Sequence, residues 1–188
     1  MRRWATAYSL MPQLSRDRIL ELFEMLNEEL AGTETLGELH VVGGAVMCLA
    51  LRARDATHDV DALFEPAAAV REAAARVAAR SGVPERWLND AVKGYLGPRN
   101  AFERFLELSH LRVFTAEPHY LLAMKCASMR LGAEFHDLDD VRYLLRHLDV
   151  QTAAEAIEIV ERYVPAEQIP PKTRYALEEL LGNPPVSA

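Results

Sequence analysis

Leu39-His40-Val41-Val42-Gly43-Gly44 and, with 14 residues between Gly44 and Asp59, His58-Asp59-Val60-Asp61-Ala62-Leu63-Phe64 decide how this chain is read. The first stretch is a short apolar run stopped by two glycines, the pattern of a buried strand that ends in a turn. Ala45–Leu51 then predicts a short helix. The second stretch alternates and predicts another strand, with Asp59 and Asp61 on one face and Val60 on the other. Two glycines after a strand let backbone amides approach an anion at the start of the next helix, where the dipole is positive. Two carboxylates at i and i+2 repel each other unless a cation or a proton neutralises them. Their all-oxygen character suits Mg²⁺ or Mn²⁺ bound together with substrate phosphates. A phosphate cradle beside a carboxylate pair is what nucleotidyl transfer from a nucleoside triphosphate (NTP) requires. Alone, Gly-Gly is an ordinary turn and Asp-x-Asp an ordinary strand edge; their order and spacing carry the functional reading.

Working outward, Ile19, Leu22, Phe23, Leu26 and Leu30 recur at helical spacing behind Ser15, a good N-cap, and predict a helix over 15–31. Pro66 suits the first turn of a helix running to about Arg80, which Ser81-Gly82 stops. Phe105–Leu108 and Leu111–Thr115 predict two strands joined by a tight Ser109-His110 turn. Beyond them the periodicity is helical at 117–131, 137–148, 152–163 and 172–181, with Thr152 and Glu155 forming a capping box. The expected fold is α/β: a small mixed sheet flanked by helices, followed by a helical C-terminal third. The expected division is an α/β core with its N-terminal helix over 1–116 and a helical region over 117–188.

Composition narrows the function classes. The charge is 21 − 28 = −7, without a basic block, which argues against double-stranded DNA binding as the main task. No apolar run reaches the roughly 18 residues of a membrane-spanning helix. The basic start, Met1-Arg2-Arg3-Trp4, is not followed by a continuous apolar signal region. Cys48 and Cys126 sit in apolar helical patterns, which argues against a disulfide framework, and the six histidines lack zinc-ligand spacing. The default expectation is a cytoplasmic protein.

The Val42-Gly43-Gly44 and Asp59-Val60-Asp61 pair resembles the signature of the polymerase-β-like nucleotidyltransferases. Thr57-x-Asp59-Val60-Asp61, Trp87-Leu88-Asn89-Asp90, Pro118–Lys125 and His136–Val141 are similar to the AbiEii-type and related bacterial nucleotidyltransferase-like proteins, over roughly residues 39–148. The resemblance implies a sheet of the nucleotidyltransferase type, with Asp59 and Asp61 binding the metal and Gly43, Gly44 and Thr57 contacting phosphates. It also implies that Lys125, with Asp137 or Asp140, completes the site. AbiEii-type proteins carry Arg before the later Asp, where this chain has His136. Many members have a third metal carboxylate; Asp90 and Glu107 are the candidates here, with Asp90 preferred. A toxin-type enzyme with a cognate antitoxin follows from the same resemblance.

Lys125 also has a physical reading of its own. It is one of three lysines, and it shares a stripe with Leu121 and Met129 on its helix. Such a lysine either snorkels outward or points at a buried anion. If that anion is a triphosphate, Lys125→Met should weaken NTP binding and leave stability level or higher. Asp137 and Asp140 read equally as an N-cap and a first-turn acid, and Asp90 as a cap. His58 is expected to point away from the carboxylates, and Arg52 and Arg54 either hold triphosphate oxygens or belong to an ordinary solvated loop. Two functions follow: a metal-dependent nucleotidyltransferase acting on a hydroxyl of RNA (tRNA among them), a protein or a small molecule, or a non-catalytic nucleotide-binding or interaction protein that keeps the fold.

Overall fold

The computed structural model describes residues 13–94, 99–129 and 137–182. The basic start Met1–Trp4, the last two positions of the helix expected over 117–131, and His136 lie outside them. The described residues form a mixed α/β fold with a five-stranded and a two-stranded sheet. They divide into two compact units: one is the chain up to Lys93 together with Arg104–Thr115, the other Gly94–Glu103 together with the chain from Ala116 onward. No helix among them is long and apolar enough to cross a membrane.

The first unit begins with β1 (Leu14–Ser15) and α1 (Arg16–Ala31), whose N-cap Ser15 accepts the Arg18 N–H. Then come β2 (Gly37–Val41), α2 (Gly43–Leu49), β3 (Ala56–Thr57), β4 (Val60–Glu65), α3 (Ala67–Ser81) and β5 (Leu88–Asn89). Strands β6 (Phe102–Glu107) and β7 (Leu111–Ala116) complete the sheet, whose order is β5-β4-β2-β7-β6. β2 lies near the centre, antiparallel to β4 and parallel to β7. β6 lies at one edge and carries Glu103, Arg104 and Glu107 exposed. The link to β7 is closed by the Leu108 N–H to the Leu111 carbonyl at 2.8 Å, so the tight turn at Ser109-His110 is present.

Several boundaries differ from the periodicity; β2 starts at Gly37 and β6 at Phe102, ahead of the predicted Leu39 and Phe105. The carboxylate strand starts at Val60, so Asp59 stands just before it. The short helix starts at Gly43, so both glycines lie in its first turn. Pro66 is the N-cap of α3 rather than a first-turn residue, while Gly82 ends that helix in the left-handed conformation at φ 71°. Burial explains the rest. Ile19, Leu22, Phe23, Leu26 and Leu30 of α1 are all fully buried, with Leu39, Val41, Val60 and Ala62 of the sheet. Trp87 is fully buried as well, and its Nε1–H donates to the Ala74 carbonyl at 3.1 Å, so its polar edge is satisfied inside α3.

The second unit is built on α4 (Pro118–Ser128), α5 (Asp137–His147), α6 (Ala153–Tyr163) and α7 (Pro171–Leu181). Pro118 takes the first helical turn of α4, where its missing N–H costs nothing. The capping box at Thr152 and Glu155 is formed in both directions. The Thr173 hydroxyl donates to the Cys126 carbonyl at 2.7 Å and ties α7 to α4. Cys48 and Cys126 are free and buried.

Gly37 is the most tightly enclosed of the described glycines. A Cβ there would fall 2.7 Å from Leu30 Cδ1, 3.3 Å from Val70 Cγ2 and 3.6 Å from Leu111 Cδ1, so α1, α3 and β7 close over a missing side chain. Gly37→Ala is expected to destabilise by about 1–3 kcal/mol through overpacking, read as a lower urea midpoint at unchanged slope. In a Leu30→Ala background the same change should cost less, because the nearest methyl is gone.

Candidate functional site

The site is built where β2 gives way to α2. Val41 pairs with Ala62 across the antiparallel ladder, and the Val42 N–H continues it to the Asp61 carbonyl at 2.9 Å. The chain then turns through Gly43 at φ 67°, a conformation that costs other residues about 1–3 kcal/mol. A Cβ on Gly43 would lie 3.4 Å from Asp61 Oδ2. On Gly44 it would fall 2.9 Å from Thr57 Oγ1 and 3.4 Å from Arg54 Nη1. The turn therefore presses bare backbone against a carboxylate, a hydroxyl and a guanidinium.

Thr57 is fixed by more than its neighbours. Strand β3 pairs it with Leu14 of β1, and its hydroxyl donates to the Asp59 carbonyl at 3.2 Å. Asp59 is half-buried. Burial, and after it the charge of Asp61, push its carboxyl up from 3.8 to about 6. The charge of His58, a hydrogen bond from Asn89 and the charge of Arg86 pull the other way.

Gly43, Gly44, Thr57, Asp59 and Asp61 come together as the spacing predicts, and Arg54 joins them. Arg52 is exposed, at φ 52°. Beside the carboxylates β5 supplies Asn89, in register with Asp61 and donating from Nδ2 to Asp59 Oδ2 at 3.2 Å. Asp90, one residue on, forms an ion pair with Arg71 at 2.8 Å. Glu107, the other candidate third carboxylate, pairs with Arg112 at 3.4 Å and with Arg104 on the edge strand. Asn89 is what sequence reasoning missed. The Trp87-Leu88-Asn89-Asp90 stretch was the signal, but a two-residue strand has no periodicity to show which side chain faces inward.

Lys125, Asp137 and Asp140 form a cluster of their own in the helical unit. Lys125 Nζ lies 2.7 Å from Asp140 Oδ2 and 3.5 Å from Asp137 Oδ1. The three side chains are only 12%, 3% and 8% exposed, in the order Lys125, Asp140, Asp137. Of the two readings of a lysine on an apolar stripe, the structure shows the buried anion, supplied by the protein itself.

No family model, curated protein or solved structure matches this chain.

Among the described residues no group of three or more His, Cys, Asp or Glu gathers as a metal cage. The residues do fit a hard cation shared with a ligand. Asp59 and Asp61 supply carboxylate oxygens whose mutual repulsion a cation relieves, and Mg²⁺ completes its octahedron from waters and phosphates.

Two outcomes follow. Between pH 3.8 and about 6 the native state holds a proton on Asp59 that the unfolded chain has released. Stability without metal should therefore fall as pH rises through that window and stay lowered above it. Asp59→Asn should flatten the fall and raise the melting temperature at pH 7 but not at pH 4, measured in EDTA. Lys125→Met should lower stability by up to about 3–5 kcal/mol, since it takes the ammonium that two buried carboxylates share. This reverses the expectation of level stability, and denaturant unfolding against Lys125→Arg measures it.

Proposed function

We propose that the first unit binds a nucleoside triphosphate with Mg²⁺ or Mn²⁺ and transfers its nucleoside monophosphate to a hydroxyl acceptor. The observation that carries this reading is the closeness of the Gly43-Gly44 backbone to Asp61, Thr57 and Arg54. Bare amides, a hydroxyl and a guanidinium next to paired carboxylates are the parts that hold a polyphosphate and its counter-ion. The resemblance to polymerase-β-like nucleotidyltransferases, of the AbiEii type, supports the same assignment of roles.

Asp59 and Asp61 would hold the cation, which when bound neutralises charge on the triphosphate and on the departing pyrophosphate. The Gly43 and Gly44 turn lets phosphate oxygens reach the main chain where any side chain would block them. Arg54 and Thr57 orient those oxygens. The acceptor oxygen bonds to the α-phosphorus while the bond to the β-phosphate oxygen breaks. Pyrophosphate leaves with those electrons, and the hydroxyl proton passes to water.

A second reading, nucleotide binding without transfer, draws on Asn89. A neutral amide, not a carboxylate, stands in register with Asp61 and holds Asp59. Incubation with α-labelled NTPs, Mg²⁺ and a mixture of total RNA and protein separates the two. Label transfer that is lost in Asp59→Asn and Asp61→Asn supports the transferase. A melting temperature raised by NTP only when Mg²⁺ or Mn²⁺ is present, with no transfer, supports binding alone. Absence of any joint metal and NTP effect sinks both.

A further inference from the structure

Asn89 has both ends of its amide committed. Its Oδ1 accepts the Ala91 N–H at 3.2 Å, which leaves the NH₂ group to face Asp59, where Nδ2 donates to Oδ2 at 3.2 Å. An amide held at both ends cannot exchange its oxygen and nitrogen without losing the Ala91 bond and setting two oxygens against each other. The main chain that delivers it is equally fixed. Val60 pairs with Leu88 and Asp61 with Asn89, and the Val60 N–H donates to the Trp87 carbonyl at 2.7 Å. Trp87 itself is anchored in the core by its bond to Ala74.

We propose that Asn89 is the positioning residue of the carboxylate pair: its amide holds Oδ2 of Asp59 and leaves the other oxygen to a divalent cation. This rests on the nucleotide-site reading for its purpose, though not for the contact itself. The sign of the group at position 89 is what matters. A carboxylate there would still cap the Ala91 N–H, yet it would set a third negative oxygen against Asp59. Such a site would be less stable empty and would bind a cation more tightly.

A double-mutant cycle on the full chain tests this at pH 8, with Asn89→Asp, Asp59→Asn and the pair. Melting is followed in EDTA, and Mn²⁺ binding without nucleotide is followed by electron paramagnetic resonance of the free ion. Asn89→Asp should lower the metal-free melting temperature by roughly 2–6 °C. In the Asp59→Asn background that loss should vanish, because the new amide at 59 can donate to the carboxylate. Mn²⁺ should bind Asn89→Asp several-fold more tightly than the parent and restore its melting temperature. If Asn89→Asp does not fold, Asn89→Ala carries the same cycle and should bind Mn²⁺ several-fold more weakly than the parent. Equal losses in both backgrounds, or unchanged Mn²⁺ affinity, would reduce Asn89 to a cap for Ala91 and overturn the proposal. An intact cycle in a parent that shows no joint metal and NTP effect supports the Asn89 contact and sinks the nucleotide reading instead.

Discussion

One backbone hydrogen bond, from the Val42 N–H to the Asp61 carbonyl, holds the candidate site in place. It is the last bond of the β2–β4 ladder, and the chain leaves the sheet directly after it through Gly43 at φ 67°. The glycine turn and the carboxylate strand are therefore aligned by main-chain geometry. β2 is held on its other side by β7, with Val41 opposite Thr115, so the turn hangs from a strand that is paired along both edges. A site supported this way can keep bare backbone exposed to a ligand without depending on that ligand for its shape.

What the sequence revealed and what it hid divide along physical lines. The strand, glycine turn, short helix and carboxylate strand were legible because β-branched runs, glycine and alternation each act locally. The helix caps at Ser15 and Thr152 were legible for the same reason. Strand β5 was not, since Leu88-Asn89 becomes a strand only through pairing with Val60 and Asp61, which are far away in sequence. Likewise β1 and β3 are two residues each and exist only as each other's partners. Lys125 on its apolar stripe called for either an outward snorkel or a buried anion, and helical spacing alone could not say that Asp140 supplies the anion.

Two of the acid pairs among the described residues meet different surroundings. Asp137 and Asp140 are buried in the first turn of α5 and share the ammonium of Lys125. Asp59 and Asp61 sit half-buried at the sheet margin, where Asn89 offers Asp59 a neutral donor. A full positive charge lowers a carboxylate's energy far more than an amide does. The first pair is thereby settled into the fold. In the second, burial and the charge of Asp61 still hold the Asp59 carboxyl above its ordinary range.

The edge strand β6 bears on how the molecule behaves in a crowd. A six-residue strand at the margin of a sheet offers a row of unpaired amides and carbonyls, the template on which a strand from another copy can add. Here Glu103, Arg104 and Glu107 stand exposed along that margin, and Arg104 and Glu107 pair with each other. An incoming strand would have to strip water from these charges before its own hydrogen bonds formed. At the opposite margin β5 is only two residues long and pairs with β4 at Val60 and Asp61. The charged β6 margin thus discourages runaway strand addition on that side of the sheet.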